Sequence, residues 1–456
     1  MKVSHGKLMP GFKLSRPVWG RRSGVAPARS RITRWAPTGL GLLLVLALVA
    51  LPMRFGAPSM VHAAPNYSVT NLSVTNLNDS GPGSLRQALA DATVGDTITF
   101  AVTGVITLTS GELVVNKDVT LIGPGAASLS ISGNLASRVI HNSAHLTISG
   151  LTIRDGQAGV GVGGGILNDG TGRLVLTDTL LTNNRAQKGG GGYNSPGGTL
   201  QVLNSTFSAN LTALFDAGAD ASGAGLYNAA PGGVASISNS IFSGNAVHDN
   251  GSGFFNAATA TVANSTFSLN LAAGTAAVYN DKNGTLQLNN VTITVNTGKK
   301  NATGLFTAGG SVTVANSLLA DNHTAGSGAS LPDCGGTLTS GGHNLIGNAT
   351  GCGLSAGPGD LLGTDVAPIN ARLGPLANNG GPTSTHTLLA GSPAIDAGSP
   401  AAPGSGGGAC ETVDQRGVAR PQDGDGNGSV RCDIGAVERG PISMPFRTDL
   451  PLLLRS

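Results

Sequence analysis

Between residues 145 and 322, apolar and polar positions alternate in short bursts that recur in one register. The clearest burst, 199–210, is TLQVLNSTFSAN. It reads apolar-x-apolar-x-Asn-small-x-apolar-x-x-Asn. Further copies occupy 145–156, 173–184, 234–245, 259–270, 285–296 and 311–322. The position of Asn204 becomes Gly150, Asp178, Asn239, Asn264, Asn290 and Asn316, with successive steps of 28, 26, 35, 25, 26 and 26 residues. A period of this length marks a stacked repeat architecture and takes precedence over segment-by-segment assignment.

Each burst alternates with period two and is rich in β-branched and aromatic residues, so it reads as two short strands joined at an Asn bend. A third apolar segment ending in Asn precedes each pair, as in Ile166 to Asn168 and Leu226 to Asn228. Gly and β-branched residues are too frequent for a helical repeat. The pattern therefore predicts an all-β, right-handed parallel β-helix with three strands per coil. Stacked coils place equivalent residues about 4.8 Å apart. Bend Asn residues, taken as Asn204, Asn239, Asn264, Asn290 and Asn316, are expected to form an amide ladder. Val202, Phe207, Phe242, Phe267, Ile293 and Leu319 are expected to stack into the core.

Of 456 residues, 71 are Gly and 11% are charged, which suits a narrow solenoid better than a globular enzyme. The formal charge of +3 is misleading. Residues 1–64 hold ten Lys/Arg and no Asp/Glu, leaving 17 basic and 24 acidic residues, a net of −7, in the remainder. That balance argues against a nucleic-acid partner. The basic start, the apolar run from Leu40 to Leu51 and the Val61-His62-Ala63 step read as an export signal over 1–63. The expected location is secreted or cell-surface, with membrane contact only through a retained signal or the tail. The four cysteines, Cys334, Cys352, Cys410 and Cys432, all follow the repeats. In an exported chain they read as two disulfides, and sequence proximity favours Cys334–Cys352 and Cys410–Cys432.

After an extended linker (64–83), SLRQALADA at 84–92 has one apolar helical face and suits a cap on the open first coil. GPGSLRQALADATVGDTITF resembles the N-terminal cap of bacterial surface β-helices named for a Cys-Ser-Leu-Arg-Glu-Ala run, with Gly83 and Gln87 replacing the Cys and Glu. GGGI at 163–166 and the Phe-x-x-Asn pattern of Phe207/Asn210 and Phe242/Asn245 resemble polymorphic outer-membrane protein repeats. LGPLANNGGPTSTHTLL, SPAIDAG, DQRGVARP and CDIGAVE resemble the choice-of-anchor Q domain, which implies an exported, surface-associated protein but no reaction. The expected organisation is a capped β-helix over 84–348, a Gly/Pro-rich, disulfide-containing end domain over 349–438, and a tail over 439–456 that reads either as a sorting signal or as a closing strand.

Candidate chemistry lies at the corners, in the long loops after the third strand. Between 145 and 324 there are eight Asp and no Glu. Asp216, Asp220 and Asp249 are the candidate catalytic carboxylates, since glycosidases need two at a fixed separation. Arg185, Lys188, His248 and His323 lie in the same loops. Asp423, Asp425 and Asn427 form a D-x-D-x-N-G turn whose oxygens suit Ca²⁺, although position 12 of a full loop is Ile434. Asp433 or Glu438 is the expected source of the missing ligand, and a plain polar turn is the competing reading. His343 and His386 read as structural. Asp414, Arg416, Arg420, Asp433 and Glu438 read as ion pairs fixing the end domain. The leading expectation is an exported cell-surface β-helix with a structural, adhesive or carbohydrate-binding role and polysaccharide or envelope partners. The alternative is a secreted polysaccharide lyase or glycoside hydrolase of the pectate-lyase-like fold.

Overall fold

The computed structural model describes residues 71–212, 220–324 and 332–441; the signal segment, Asp216 and all but the start of the tail lie outside them. The repeat is a coil. Ile166–Asn168 forms what we call the leading face, Arg173–Thr177 the broad face and Leu180–Thr182 the rear face, and the chain then returns to Gly192–Asn194, one coil on. Each strand pairs in parallel with its successor: Ile166 lies opposite Gly192, Leu174 opposite Leu200 and Leu181 opposite Phe207. The coils from Arg185 onward carry, besides the three expected strands, a two-residue fourth one. Arg185–Ala186 starts this ledge, which runs through Leu211–Thr212, Ala246–Val247, Leu271–Ala272 and Thr297–Gly298 to His323–Thr324. Antiparallel bridges occur only in the end domain among the described residues, as between Leu373 and Leu388.

Alternation dictates the core. In Thr199–Leu203, Leu200 and Val202 are buried while Thr199 and Gln201 are exposed. Stacking multiplies this: Phe207, Phe242 and Phe267 lie one above another with ring centroids 4.6 and 4.8 Å apart. Burying such rings contributes about 1.5–3 kcal/mol each before entropy is counted. The open first coil is covered by the helix Leu85–Asp91, N-capped by Ser84, whose Oγ accepts from Gln87 N at 3.2 Å. Leu85 and Ala88 face inward, and Arg86 binds the carbonyls of Gly111 and Glu112.

The amide ladder exists, but on other residues than those read from the sequence. One ladder ends the leading-face strands: Asn142 donates to Asn168, then Asn194, Asn228, Asn256 and Asn280 follow, over 2.7–2.9 Å. A second, between rear face and ledge, runs Asn184, Asn210, Asn245, Asn270, Asn296, Asn322 over 2.9–3.1 Å and ends on Asp333 at 2.8 Å. Each amide does more than meet its neighbour. Asn210 Nδ2 also donates to Leu181 O, and Asn210 N donates to Asn245 Oδ1. The bend residues Asn204, Asn239, Asn264, Asn290 and Asn316 share φ between 43° and 52° instead. Asn is tolerated in this left-handed region better than most residues, and there it turns its side chain out of the coil.

That outward row receives the end domain. Asn264 donates to Val413 O at 2.7 Å, Asn290 to the carbonyls of Asp433 and Gly435, and Asn316 to Gly408 O. Ser399 N and Glu411 N donate back to the side chains of Asn316 and Asn290. The coils run on past residue 348, since Cys352–Ser355 and Leu361–Leu362 still pair in parallel with Cys334–Gly342 and Leu345–Ile346. Cys334–Cys352 ties two of these stacked strands together, and Cys410–Cys432 closes the end domain. Inside it, Arg420 and Glu438 form a fully buried ion pair at 2.7 Å, and Arg416 pairs with Asp414 at 2.7 Å. Asp433 accepts from Asp396 N and Arg439 N. Burial, reinforced by Glu438, pushes its carboxyl up to about 7.

Two outcomes follow from the ladders. Asn210→Val orphans buried donors and acceptors and is expected to cost on the order of 3 kcal/mol in urea unfolding. Asn204→Gly keeps the left-handed bend and should cost a few tenths of that; equal losses would refute the assignment. Burial raises Asp333, the ladder's terminal acceptor, from 3.8 to about 6 despite its hydrogen bonds from Asn322 and Asn348. The folded chain then holds this proton more tightly than the unfolded one, so this group's contribution falls as pH rises from about 4 to about 6. Thermal unfolding across that range is expected to show the fall, and Asp333→Asn to flatten it.

Candidate functional site

The ledge exposes basic, apolar and imidazole side chains along one column of the coils. In a two-residue strand one side chain enters the core and the other faces out, so Ala186 is buried and Arg185 exposed. In register with Arg185 come Leu211 and then Ala246. An open cleft of about 410 Å³ runs along this column, lined by Arg185, Leu211, Thr212, Val247 and His248 among others.

His248 enters the cleft from the residue after the third ledge strand. Its backbone N–H donates to Thr212 Oγ1 at 3.1 Å. Its Nδ1 lies 3.1 Å from Asp249 Oδ1, and Asp249 Oδ2 accepts from Ala221 N at 2.7 Å. Asp249 thus holds the ring by one nitrogen, and Nε2 has no protein partner among the described residues. Three other histidines, His141, His343 and His386, are held differently. His141 is held at both nitrogens, by Glu112 at 3.3 Å and Asp169 at 3.2 Å. His386, as expected for a structural residue, spans Gly374 O and Ser268 Oγ at 2.7 and 2.9 Å, and burial lowers its pKa. His343 contacts Ala397 O and Arg431.

Of the three expected carboxylates, Asp220 and Asp249 lie among the described residues, and each is bound to its own neighbours. Asp216 lies outside the described residues. Asp220 pairs with Lys188 at 2.7 Å and accepts from Ser222 Oγ at 2.6 Å. Burial raises its pKa, but the bonds from Lys188 and Ser222 outweigh that and the net shift is downward. Lys188 is also engaged, with Nζ 5.4 Å from the centre of the Tyr227 ring. Asp249 is committed to His248 and Ala221. Neither Asp belongs to a group of three potential metal ligands among the described residues.

Two further surfaces were not legible in the sequence. On the leading face, Tyr193, Tyr227, Phe255, Tyr279 and Phe306 form an outward ring stack with centroids 4.6–5.6 Å apart. The rings cover one another's faces, so mainly edges remain to meet a ligand. On the broad face, a pocket of about 650 Å³ lies between Gln287, Asn289 and Thr313 and the Gly404–Glu411 segment. Its charged residue, Glu411, accepts from Asn289 at 2.9 Å.

In the end domain, Asp423 and Asp425 come together as the turn motif implies, but their third partner is Asp396 rather than Asp433 or Glu438. Ligand oxygens of the three lie within 4.8 Å of one another. Asp433 and Glu438 are held in the buried ion-pair cluster. Asn427 spends Oδ1 on Ser429 N and Nδ2 on Asp425. Burial raises the Asp396 carboxyl, and Asp425 and Asp423 add to the rise.

No family model matches the chain. A stretch of 117 residues is 38% identical to a protein described as "Probable pectate lyase C" in each of two strains of Aspergillus fumigatus, CBS 144.89 / FGSC A1163 / CEA10 and ATCC MYA-4609 / CBS 101355 / FGSC A1100 / Af293. The match spans 25% of this chain and 26% of those relatives, so about a quarter of their length is represented. Among solved structures, pectate lyase Pel9A aligns over 82% of this chain and 98% of its own, at 13% identity and a TM-score of 0.39. The family PL6 alginate lyase AlyGC aligns over 65% of this chain and 52% of its own, at 13% identity and a TM-score of 0.31.

Proposed function

We propose that this chain is an exported polysaccharide-active β-helix that cleaves an acidic polysaccharide by β-elimination in the ledge cleft. The observation that carries the reading is that Arg185 and His248, the latter held by Asp249, line one open cleft along the ledge. The local identity to two probable pectate lyases supports the same substrate class. The two disulfides support an oxidising compartment outside the cytosol. The resemblance of 341–438 to the choice-of-anchor Q domain adds a sorting role for the end domain.

In this reading the Arg185 guanidinium receives a uronate carboxylate, and its charge stabilises the negative charge that builds up when the neighbouring carbon loses its proton. His248 Nε2 takes that proton, with Asp249 holding the ring and balancing the imidazolium. The electron pair left on the α-carbon forms a double bond to the β-carbon, the glycosidic carbon–oxygen bond breaks, and the departing oxygen is protonated by water. An open cleft suits a polymer that enters from the side.

A binding role without chemistry is the second reading. It is favoured by the engagement of Asp220 and Lys188 with each other, which removes two charged groups from any reaction.

One assay separates the two. The purified chain is incubated with polygalacturonate and with alginate, and unsaturated ends are followed by ultraviolet absorbance. Release of product is expected, with a loss on the order of 100-fold or more in His248→Ala. Arg185→Ala is expected to weaken both binding and turnover. Retained polymer with no unsaturated product from either substrate would replace the lyase reading by the binding one.

A further inference from the structure

We propose that Asp396, Asp423 and Asp425 form a Ca²⁺ site that locks the end domain against the coils, independently of any action on polysaccharide. Ca²⁺ binds oxygen ligands at about 2.3–2.6 Å, so two oxygens on one ion lie within about 5 Å of each other. The three carboxylates satisfy that span, with ligand oxygens within 4.8 Å. None of the three is in an ion pair among the described residues.

A second, separate observation points to a cation. Asp396 is 8% exposed, and its Oδ2 is buried with no hydrogen-bond partner. Its other oxygen accepts from Gly424 N at 3.2 Å. A buried carboxylate oxygen left bare is costly, and burial beside two further carboxylates makes it more so. An ion at the point where the three converge removes both costs at once. With only carboxylate oxygen as side-chain ligand, the set selects a hard cation over zinc or copper.

The position says what the ion does. Asp396 N donates to Asp433 Oδ1 at 2.7 Å, inside the ion-pair cluster. Ile434 N donates to Ala394 O, and the next residue, Gly435, donates from its N to Asn316 O on the coil. Asp423 lies on a loop whose turn is set by bonds from Gly426 N and Gly428 N to its carboxylate. The ion therefore ties the 423–428 loop to the segment that carries the docking contacts. It acts as a covalent cross-link would, but reversibly.

The test uses the full chain stripped with EGTA and titrated calorimetrically with CaCl₂. One Ca²⁺ per chain is expected, with Kd on the order of 10⁻⁵ to 10⁻³ M, and saturating Ca²⁺ is expected to raise the thermal unfolding midpoint by about 2 °C or more. Asp425 is exposed, so Asp425→Asn folds normally, and it should weaken binding by about tenfold or more. Asp396→Asn should abolish binding; if that variant fails to fold, Asp425→Asn decides. No binding heat and no shift in the midpoint at about 10 mM CaCl₂, or wild-type affinity in Asp425→Asn, would overturn the site.

Discussion

The described coils depend on a backbone register kept from one coil to the next, with a single shift at Val314/Ala315 near the end of the stack. A parallel coil places each residue directly over its counterpart, so one side-chain choice, repeated, becomes a column. Where the choice is Phe, the column is a ring stack through Phe207, Phe242 and Phe267. Where it is a buried Asn, the column is an amide ladder whose members each bond upward, downward and to backbone. A buried polar group unpaired costs a few kcal/mol, so a slip of one residue anywhere would orphan a whole row. The ladders therefore fix the register, and the apolar columns supply the driving force.

The same logic explains why the end domain sits where it does. The coil corner between broad and rear faces needs left-handed backbone, and Asn supplies it. An Asn there points outward and brings an unpaired amide to the surface. In the last coils those amides become hydrogen-bond partners for Gly408, Val413, Glu411 and Gly435. A requirement of backbone conformation is thus reused as a docking strip.

The coil architecture was legible because a strict period with two-residue alternation admits few folds. The capping helix, the two disulfides and the paired charges of the end domain also followed from local pattern and proximity. The ladder was misplaced because Asn204 and its equivalents are the most conspicuous Asn in the repeat, and sequence does not print φ. The true ladder residues stood in view as the Asn ending each third segment and the Asn ending each burst. The site was harder. His248 and Asp249 are adjacent in the chain, but the 35-residue step before Asn239 hides which residues of the long insert meet Lys188 or Asp249. Asp396 joins Asp423 only after the chain reverses, which no local pattern announces.

The chemical surfaces are consequences of the scaffold. The ledge exposes Arg185 because a two-residue strand must face one side chain outward. Backbone hydrogen exchange followed by mass spectrometry tests the central claim most directly. Amides of the ladder residues Asn184, Asn210, Asn245, Asn270 and Asn296, each donating to the Asn of the next coil, are expected to exchange slowest and together. Rapid exchange across those positions, with protection confined to the end domain, would contradict it.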